Sequence, residues 1–172
     1  MRTPTIAIPA DTRTFHWSAP DGSTGRFKPN GPLLVSGYLA NREVWQERAP
    51  VWAARLFVGF NVANRPAWTI DDLVPVVRHA RLRQVKDADA SFLLQRGLYT
   101  HTKAGRRRAT IEEEGAQVIV LNLPEFKTSP RRFRRQMVAL ATAIARKLQQ
   151  ESVIIELQQG GIMRETIGVN AL

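Results

Sequence analysis

A chain of 172 residues, 44% hydrophobic and 23% charged, has the composition of a folded domain rather than a disordered segment. Its formal charge of +10 makes nucleic acid (RNA or DNA), another polyanion or an acidic protein the natural partner classes. The absence of cysteine excludes disulfides, thiolate nucleophiles and cysteine-ligated metal sites. No apolar run reaches the roughly 18 residues that span a bilayer, so a cytoplasmic protein is expected.

Residues 1–52 read as an N-terminal extension, irregular or β, packed on the main body. Turn signals recur at Pro20-Asp21-Gly22 and at Lys28-Pro29-Asn30-Gly31-Pro32, and the pieces Thr12 to Trp17 and Leu33 to Leu39 suit strands. Phe15, Trp17, Phe27, Tyr38 and Trp45 are too many aromatics for a solvated tail, so most of this region is expected to pack. From Ala53 to Val62, Leu56, Val58, Phe60 and Val62 recur at period two, as in a strand with one buried face. A helix follows, with Thr69 and Asp72 as a capping box and Trp68 and Leu73 as a hydrophobic staple. Pro75 predicts a later start, at Asp72, or a kink.

Ser91 to Thr102 and Ala116 to Leu123 read as the next two strands, joined by the polar loop Lys103 to Gly115. Ser129 as N-cap and Pro130 at the first helical position define a second helix, whose apolar stripe is Phe133, Met137, Leu140, Ala141, Ile144 and Leu148. Ser152 to Leu157 is expected to be a buried strand, and Gly160-Gly161 turns the chain into a last strand, Ile162 to Val169. The order βαββαβ over 53–172 predicts an α+β ferredoxin-like sandwich, an antiparallel sheet with both helices on one face and an added C-terminal hairpin strand.

The strongest charge feature lies on the second helix. Lys127, Arg131, Arg132, Arg134, Arg135, Arg146 and Lys147 fall between Phe126 and Gln150 with no acid among them. On a helical wheel most of them lie opposite the apolar stripe, and the arginines of the first turns oppose the helix dipole, a cost that a docked anion would remove. Arg131, Arg132, Arg134, Arg135, Arg146 and Lys147 are therefore expected to bind nucleic-acid phosphates. Arg106, Arg107 and Arg108 are further candidates, although Glu112, Glu113 and Glu114 follow closely and leave the loop near neutral.

Leu56-Phe57-Val58-Gly59 resembles the first-strand motif of RNA-recognition-motif domains, which stack bases on sheet aromatics. The place of that family's second motif, Gly115 to Leu121, carries no aromatic. An apolar sheet face there, with Ile119 and Leu121, would cover another subunit or the N-terminal arm. His16, His79 and His101 are scattered without metal-site spacing, and no phosphate loop or nucleophile elbow is present, so neither a metal nor a cofactor is expected. His101 near Tyr99, with Glu112 to Glu114 opposite, would form an acid/base pocket.

Three functions fit these observations. The first is a non-enzymatic basic module gripping nucleic-acid phosphates through the arginine-rich helix. The second is an assembly subunit forming homo- or hetero-oligomers through its apolar sheet face, and the third a small-molecule enzyme of the dimeric ferredoxin-like type.

Overall fold

The computed structural model describes residues 5–8, 14–18, 22, 24–36, 52–84, 91–103, 109–122, 128–160 and 162–170. The strands are β1 (Thr5–Ile8), β2 (Phe15–Ser18), β3 (Thr24–Ser36), β4 (Trp52–Gly59), the two-residue β5 (Asn61–Val62) and β6 (Arg65–Pro66), β7 (Ser91–Lys103), β8 (Ala109–Asn122), β9 (Ser152–Gln159) and β10 (Ile162–Asn170). The helices are α1 (Ile70–Gln84) and α2 (Pro130–Lys147). One antiparallel sheet runs β1-β3-β7-β8-β4-β9-β10, with β2 also paired to β3.

Both helices pack on one face of this sheet. Period-two alternation sends Ala54, Leu56 and Val58 of β4, Phe92 and Leu94 of β7, Ala116, Val118 and Val120 of β8, and Val153, Ile155 and Leu157 of β9 to that side. There they meet Leu73 and Val77 of α1 and the α2 stripe, buried from Phe133 through Leu148 as its spacing predicts. Ser129 caps α2 in an extended conformation (φ −64°, ψ 151°) and its hydroxyl accepts from the Arg132 amide at 3.4 Å. Thr69 and Asp72 form the expected contact at the start of α1, with the Thr69 hydroxyl donating to Asp72 Oδ2 at 2.7 Å. The helix begins at Ile70 nevertheless and keeps Pro75 inside it, at the loss of one backbone donor. Trp68 Nε1 donates to the Leu148 carbonyl at 2.8 Å and ties the start of α1 to the end of α2. Leu140, fully buried between the helices and the sheet, is the natural probe of this core. Leu140→Ala is expected to cost about 2–5 kcal/mol, read from the midpoint of denaturant unfolding.

The ferredoxin-like sandwich is overturned by what the first strands do. The chain is mostly β, and its sheet is nearly closed into a barrel. Thr24 to Ser36 forms a 13-residue strand bonded to β7 along its length, and the predicted turn at Lys28 to Pro32 is a bulge within it, where the register shifts between Pro29 and Leu33. Three strands separate β2 from β4 in the sheet order, so in a flat sheet they would lie about 19 Å apart at the usual strand spacing. The Arg55 guanidinium of β4 instead sits 4.3 Å from the centroid of the Phe15 ring of β2. The sheet has rolled, and the face away from the helices has become an interior.

A further difference follows from strand length. β8 begins at Ala109, so Glu112 to Glu114 belong to a strand and not to a loop. Arg106, Arg107 and Arg108, like Tyr38 and Trp45, lie outside the described residues. Among the described residues no helix is long and apolar enough to cross a membrane.

Candidate active site

The interior face is built by the residues that alternate with the helix-facing ones. The register aligns them in rows across the strands. One row runs Ile154, Phe57, Gln117, Gln95. The next is glycine on three adjacent strands, Gly59, Gly115 and Gly97. A third runs Glu113, Tyr99, Phe27, Phe15. Trp17, Phe27, Phe57, Tyr99 and Ile154 form a second buried cluster, separate from the helix-facing core, with the Phe15 ring against it. Trp17 stacks on Tyr99 with ring centroids 6.2 Å apart and planes at 24°, and Phe27 meets Phe57 edge-on at 6.0 Å.

The glycines have a visible use. A Cβ at Gly59 would overlap the Glu113 carboxylate, and one at Gly97 the Phe27 ring, so their absence lets both side chains lie flat on the sheet. Glu113 is half-buried over β4. The Asn61 backbone donates a hydrogen bond to it, and Asn61 is in turn fixed by Gln150, whose Nε2 donates to the Asn61 carbonyl at 3.1 Å. Burial, above all, and the charge of Glu151 hold the Glu113 carboxyl above the usual carboxylate range despite that hydrogen bond. Its sequence neighbours are neutralised, Glu112 by Arg26 and Glu114 by Arg96. Among the described residues no cation faces Glu113 in the same way. Burial, then the Glu113 charge, pushes the Tyr99 hydroxyl far up, so it is held protonated and is no base at neutral pH. Across the sheet Glu156, 3% exposed, is also raised by burial, partly offset by Arg55 at 3.7 Å and by Gln158 Nε2 donating at 3.2 Å.

Five buried side-chain polar atoms among the described residues have no hydrogen-bond partner: Trp17 Nε1, Gln95 Nε2, Gln117 Nε2 and Oε1, and Gln136 Oε1. The first four share the interior face. Each such atom costs about 1–3 kcal/mol, which a fold tolerates where the group has another use. No group of three or more His, Cys, Asp or Glu among the described residues is placed to hold a metal ion.

The predicted basic residues lie elsewhere. Arg131, Arg132, Arg135, Arg146 and Lys147 are exposed on α2, which packs on the other face of the sheet. Arg134 is engaged by Glu165 of β10, its Nε at 2.8 Å from Oε2 and its Nη2 at 2.6 Å from Oε1, a fork that lowers the Glu165 carboxyl. Tyr99 does stand opposite a glutamate, since its register partner is Glu113, whereas the partner of His101 is Ile111. Sequence reasoning missed Trp17, Phe57, Gln95, Gln117, Arg55 and Glu156 as site residues. The available signal was polar residues at alternate positions of strands otherwise apolar enough to be buried.

Buried aromatics, a half-buried carboxylate without an ion-pair partner among the described residues, a protonated phenol and unused amide groups make a polar set in an apolar surround, of the class that handles small organic molecules. The chain is similar to two solved structures in keeping with that class. A phage SAM lyase in complex with S-methyl-5'-thioadenosine is 32% identical, matching 76% of this chain and 97% of its own with a TM-score of 0.61. A phage SAM lyase in the apo state is likewise 32% identical, over 75% of this chain and 97% of its own, with a TM-score of 0.59. No protein-family model and no curated protein matches the chain. At that identity and coverage the chain belongs to the phage SAM lyase family.

Membership of an enzyme family overturns both the nucleic-acid-binding module and the assembly subunit as readings of function. The physical reason is placement. Phe57, in the stretch that resembles the first-strand motif of RNA-recognition-motif domains, is 1% exposed inside the rolled sheet and offers no open surface. The arginines of α2 belong to the opposite side of the molecule. The dimeric ferredoxin-like type falls with the sandwich itself.

Proposed function

We propose that the protein is an S-adenosylmethionine lyase, cleaving the bond between the sulfonium sulfur and the methionine γ-carbon without water and releasing S-methyl-5'-thioadenosine. The observation that carries this reading is the 32% identity over nearly the whole length of a SAM lyase whose structure holds that thioadenosine. The chemistry needs little from the enzyme beyond position. The substrate's own carboxylate oxygen attacks the γ-carbon as the carbon–sulfur bond breaks. The bonding pair stays on sulfur, which becomes a neutral thioether, and the four-carbon piece leaves as homoserine lactone. No proton moves and no co-reactant is consumed in that step. A tethered nucleophile closing a five-membered ring reacts with a high effective molarity once the chain is folded back.

Three features of the interior suit this task. The negative Glu113 favours a substrate with a net positive charge over a neutral product. Tyr99, held protonated, donates a hydrogen bond without competing as a base or nucleophile. The buried aromatic cluster of Trp17, Phe27 and Phe57 lies beside these two groups and keeps water from that part of the interior. Such an enzyme works in the cytoplasm, where its substrate is made.

Incubation of the purified protein with S-adenosylmethionine is expected to yield S-methyl-5'-thioadenosine and homoserine lactone in equal amounts by liquid chromatography and mass spectrometry. Run in water enriched in heavy oxygen, the lactone stays unlabelled. Thioadenosine at the level of an enzyme-free control would sink the reading, and labelled homoserine as first product would replace ring closure by hydrolysis.

A further inference from the structure

The end of α2 is built to carry a side chain toward β5. Leu148 caps the helix, and the next residue, Gln149, sits in the left-handed region at φ 51°, where glycine is the usual occupant. Both hydrogen bonds of a Schellman motif are present: the Gln149 amide donates to the Arg146 carbonyl at 3.4 Å and the Gln150 amide to the Ala145 carbonyl at 2.9 Å. A glutamine held in that conformation is strain, which a fold keeps where the position has a use. The reversal turns the Gln150 side chain back over the helix end, where it is 6% exposed, and its Nε2 donates to the Leu148 carbonyl at 3.3 Å and to the Asn61 carbonyl at 3.1 Å. Asn61 needs such a hold. It opens the small β5–β6 hairpin, turned by Ala63 and Asn64 at φ 50° and 62°, and faces Pro66, which has no N–H to give. The residue before it is anchored on the other side, the Phe60 amide donating to the Glu114 carbonyl at 2.9 Å. Between these two anchors the Asn61 amide meets the Glu113 carboxylate.

We infer that Gln150 is a positioning residue for Glu113, acting through the Asn61 backbone, so that the turn after α2 fixes the carboxylate of the site. Its consequence for turnover rests on the lyase reading above; its consequence for the carboxyl group does not. Without the Gln150 donor the Asn61 carbonyl must turn toward water for a partner, and the rotation takes the Asn61 amide off the carboxylate. Among the described residues, the groups facing Glu113 are Tyr99 from β7, held protonated, the Gly59 main chain of β4, the Asn61 amide of β5, and Glu151, one residue beyond Gln150. Arg26 and Arg96 are engaged by Glu112 and Glu114. One turn therefore carries two opposed controls. Gln150, through the Asn61 amide, favours the ionised carboxylate, and the charge of Glu151 disfavours it.

The test is the pH profile of kcat/KM for S-adenosylmethionine in wild type, Gln150→Met and Glu151→Gln, with the Glu113 carboxyl titrated by carboxyl-carbon NMR in the same proteins. Methionine is unbranched like glutamine and removes the donor. Gln150→Met is expected to move the acid limb and the NMR midpoint of Glu113 toward higher pH, and to lower kcat/KM above the limb by about fivefold, the scale of one hydrogen bond. Glu151→Gln is expected to move both the opposite way. In a Glu113→Gln background, Gln150→Met is expected to change kcat/KM by less than about twofold, because its effect passes through the missing carboxylate, whereas a purely structural role repeats the full loss. Gln150→Asn, a methylene too short to reach Asn61, is expected to give the same shift and serves if Gln150→Met does not fold. An acid limb and midpoint unmoved by the Gln150 variants, or losses that multiply in the double variant, overturn the assignment while leaving the lyase reading intact. If wild type cleaves no S-adenosylmethionine, the lyase reading falls, and the NMR midpoint alone then decides the link from Gln150 to Glu113.

Discussion

Glu113→Gln is expected to lower kcat/KM for S-adenosylmethionine by about 30-fold while barely changing the affinity for S-methyl-5'-thioadenosine. The substitution keeps the size and the hydrogen bond from Asn61 and removes only the charge. A charge pair about 4 Å apart at the boundary of a protein is worth about 4 kcal/mol at an effective dielectric near 20, before screening of this half-exposed group roughly halves it. The substrate carries a net positive charge and the thioether product none, so the loss falls on one and not on the other. Isothermal titration with the product and steady-state kinetics with the substrate read the two separately. An equal loss for both would place the carboxylate on the ribose hydroxyls and sink its role as cation partner.

The same carboxyl has a pH signature with a definite sign. Its folded pKa lies above its unfolded one, so between those values the folded state binds more protons, and stability falls as pH rises through that window. Glu156 contributes in the same direction. In Glu113→Gln the decline is expected to be shallower in thermal melts across the acid range. The acid limb of kcat/KM, which rises as Glu113 ionises in the free enzyme, is expected to disappear with it.

Much of the local structure was legible because short-range rules decide it. Ser129-Pro130 fixed where α2 starts, and the Phe133 to Leu148 spacing fixed which side it buries. The closure of the sheet was not legible, because it depends on pairings between residues far apart in sequence. Phe27 opposite Tyr99 is one such pairing, and Arg55 against Phe15 another. A bulge at Pro29 reads locally as a turn, and nothing short-range reveals that the strand resumes on the far side. The site followed the same divide. Glu112 to Glu114 drew attention as partners that cancel the arginine run, yet only register separates Glu113, facing inward beside Tyr99, from its two paired neighbours. Charge density marked α2, whereas the interior is marked by unpaired polarity, which no count of lysine and arginine registers.

The glycine row allows function and folding to be separated with two nearly identical substitutions. In Gly59→Ala the new methyl meets Glu113 Oε1 and Cδ, the far end of a flexible side chain. The carboxylate swings away at little cost, so the melting temperature is expected to stay within a few degrees of wild type, while kcat/KM for S-adenosylmethionine falls nearly as far as in Glu113→Gln. In Gly115→Ala the methyl meets the Val58 carbonyl oxygen at 2.6 Å and the Gly59 Cα at 3.3 Å, both main chain. No rotamer relieves that contact, and β4 and β8 must part across the centre of the sheet. Overpacking of this kind costs about 1–3 kcal/mol, or roughly 2–12 °C in melting temperature. Circular dichroism melts alongside the cleavage assay distinguish the two. If Gly59→Ala kept full activity, the Glu113 carboxylate would not need the position over β4, and the interior row would be packing alone. If Gly115→Ala melted like wild type, the strands would have slack that their register gives no room for.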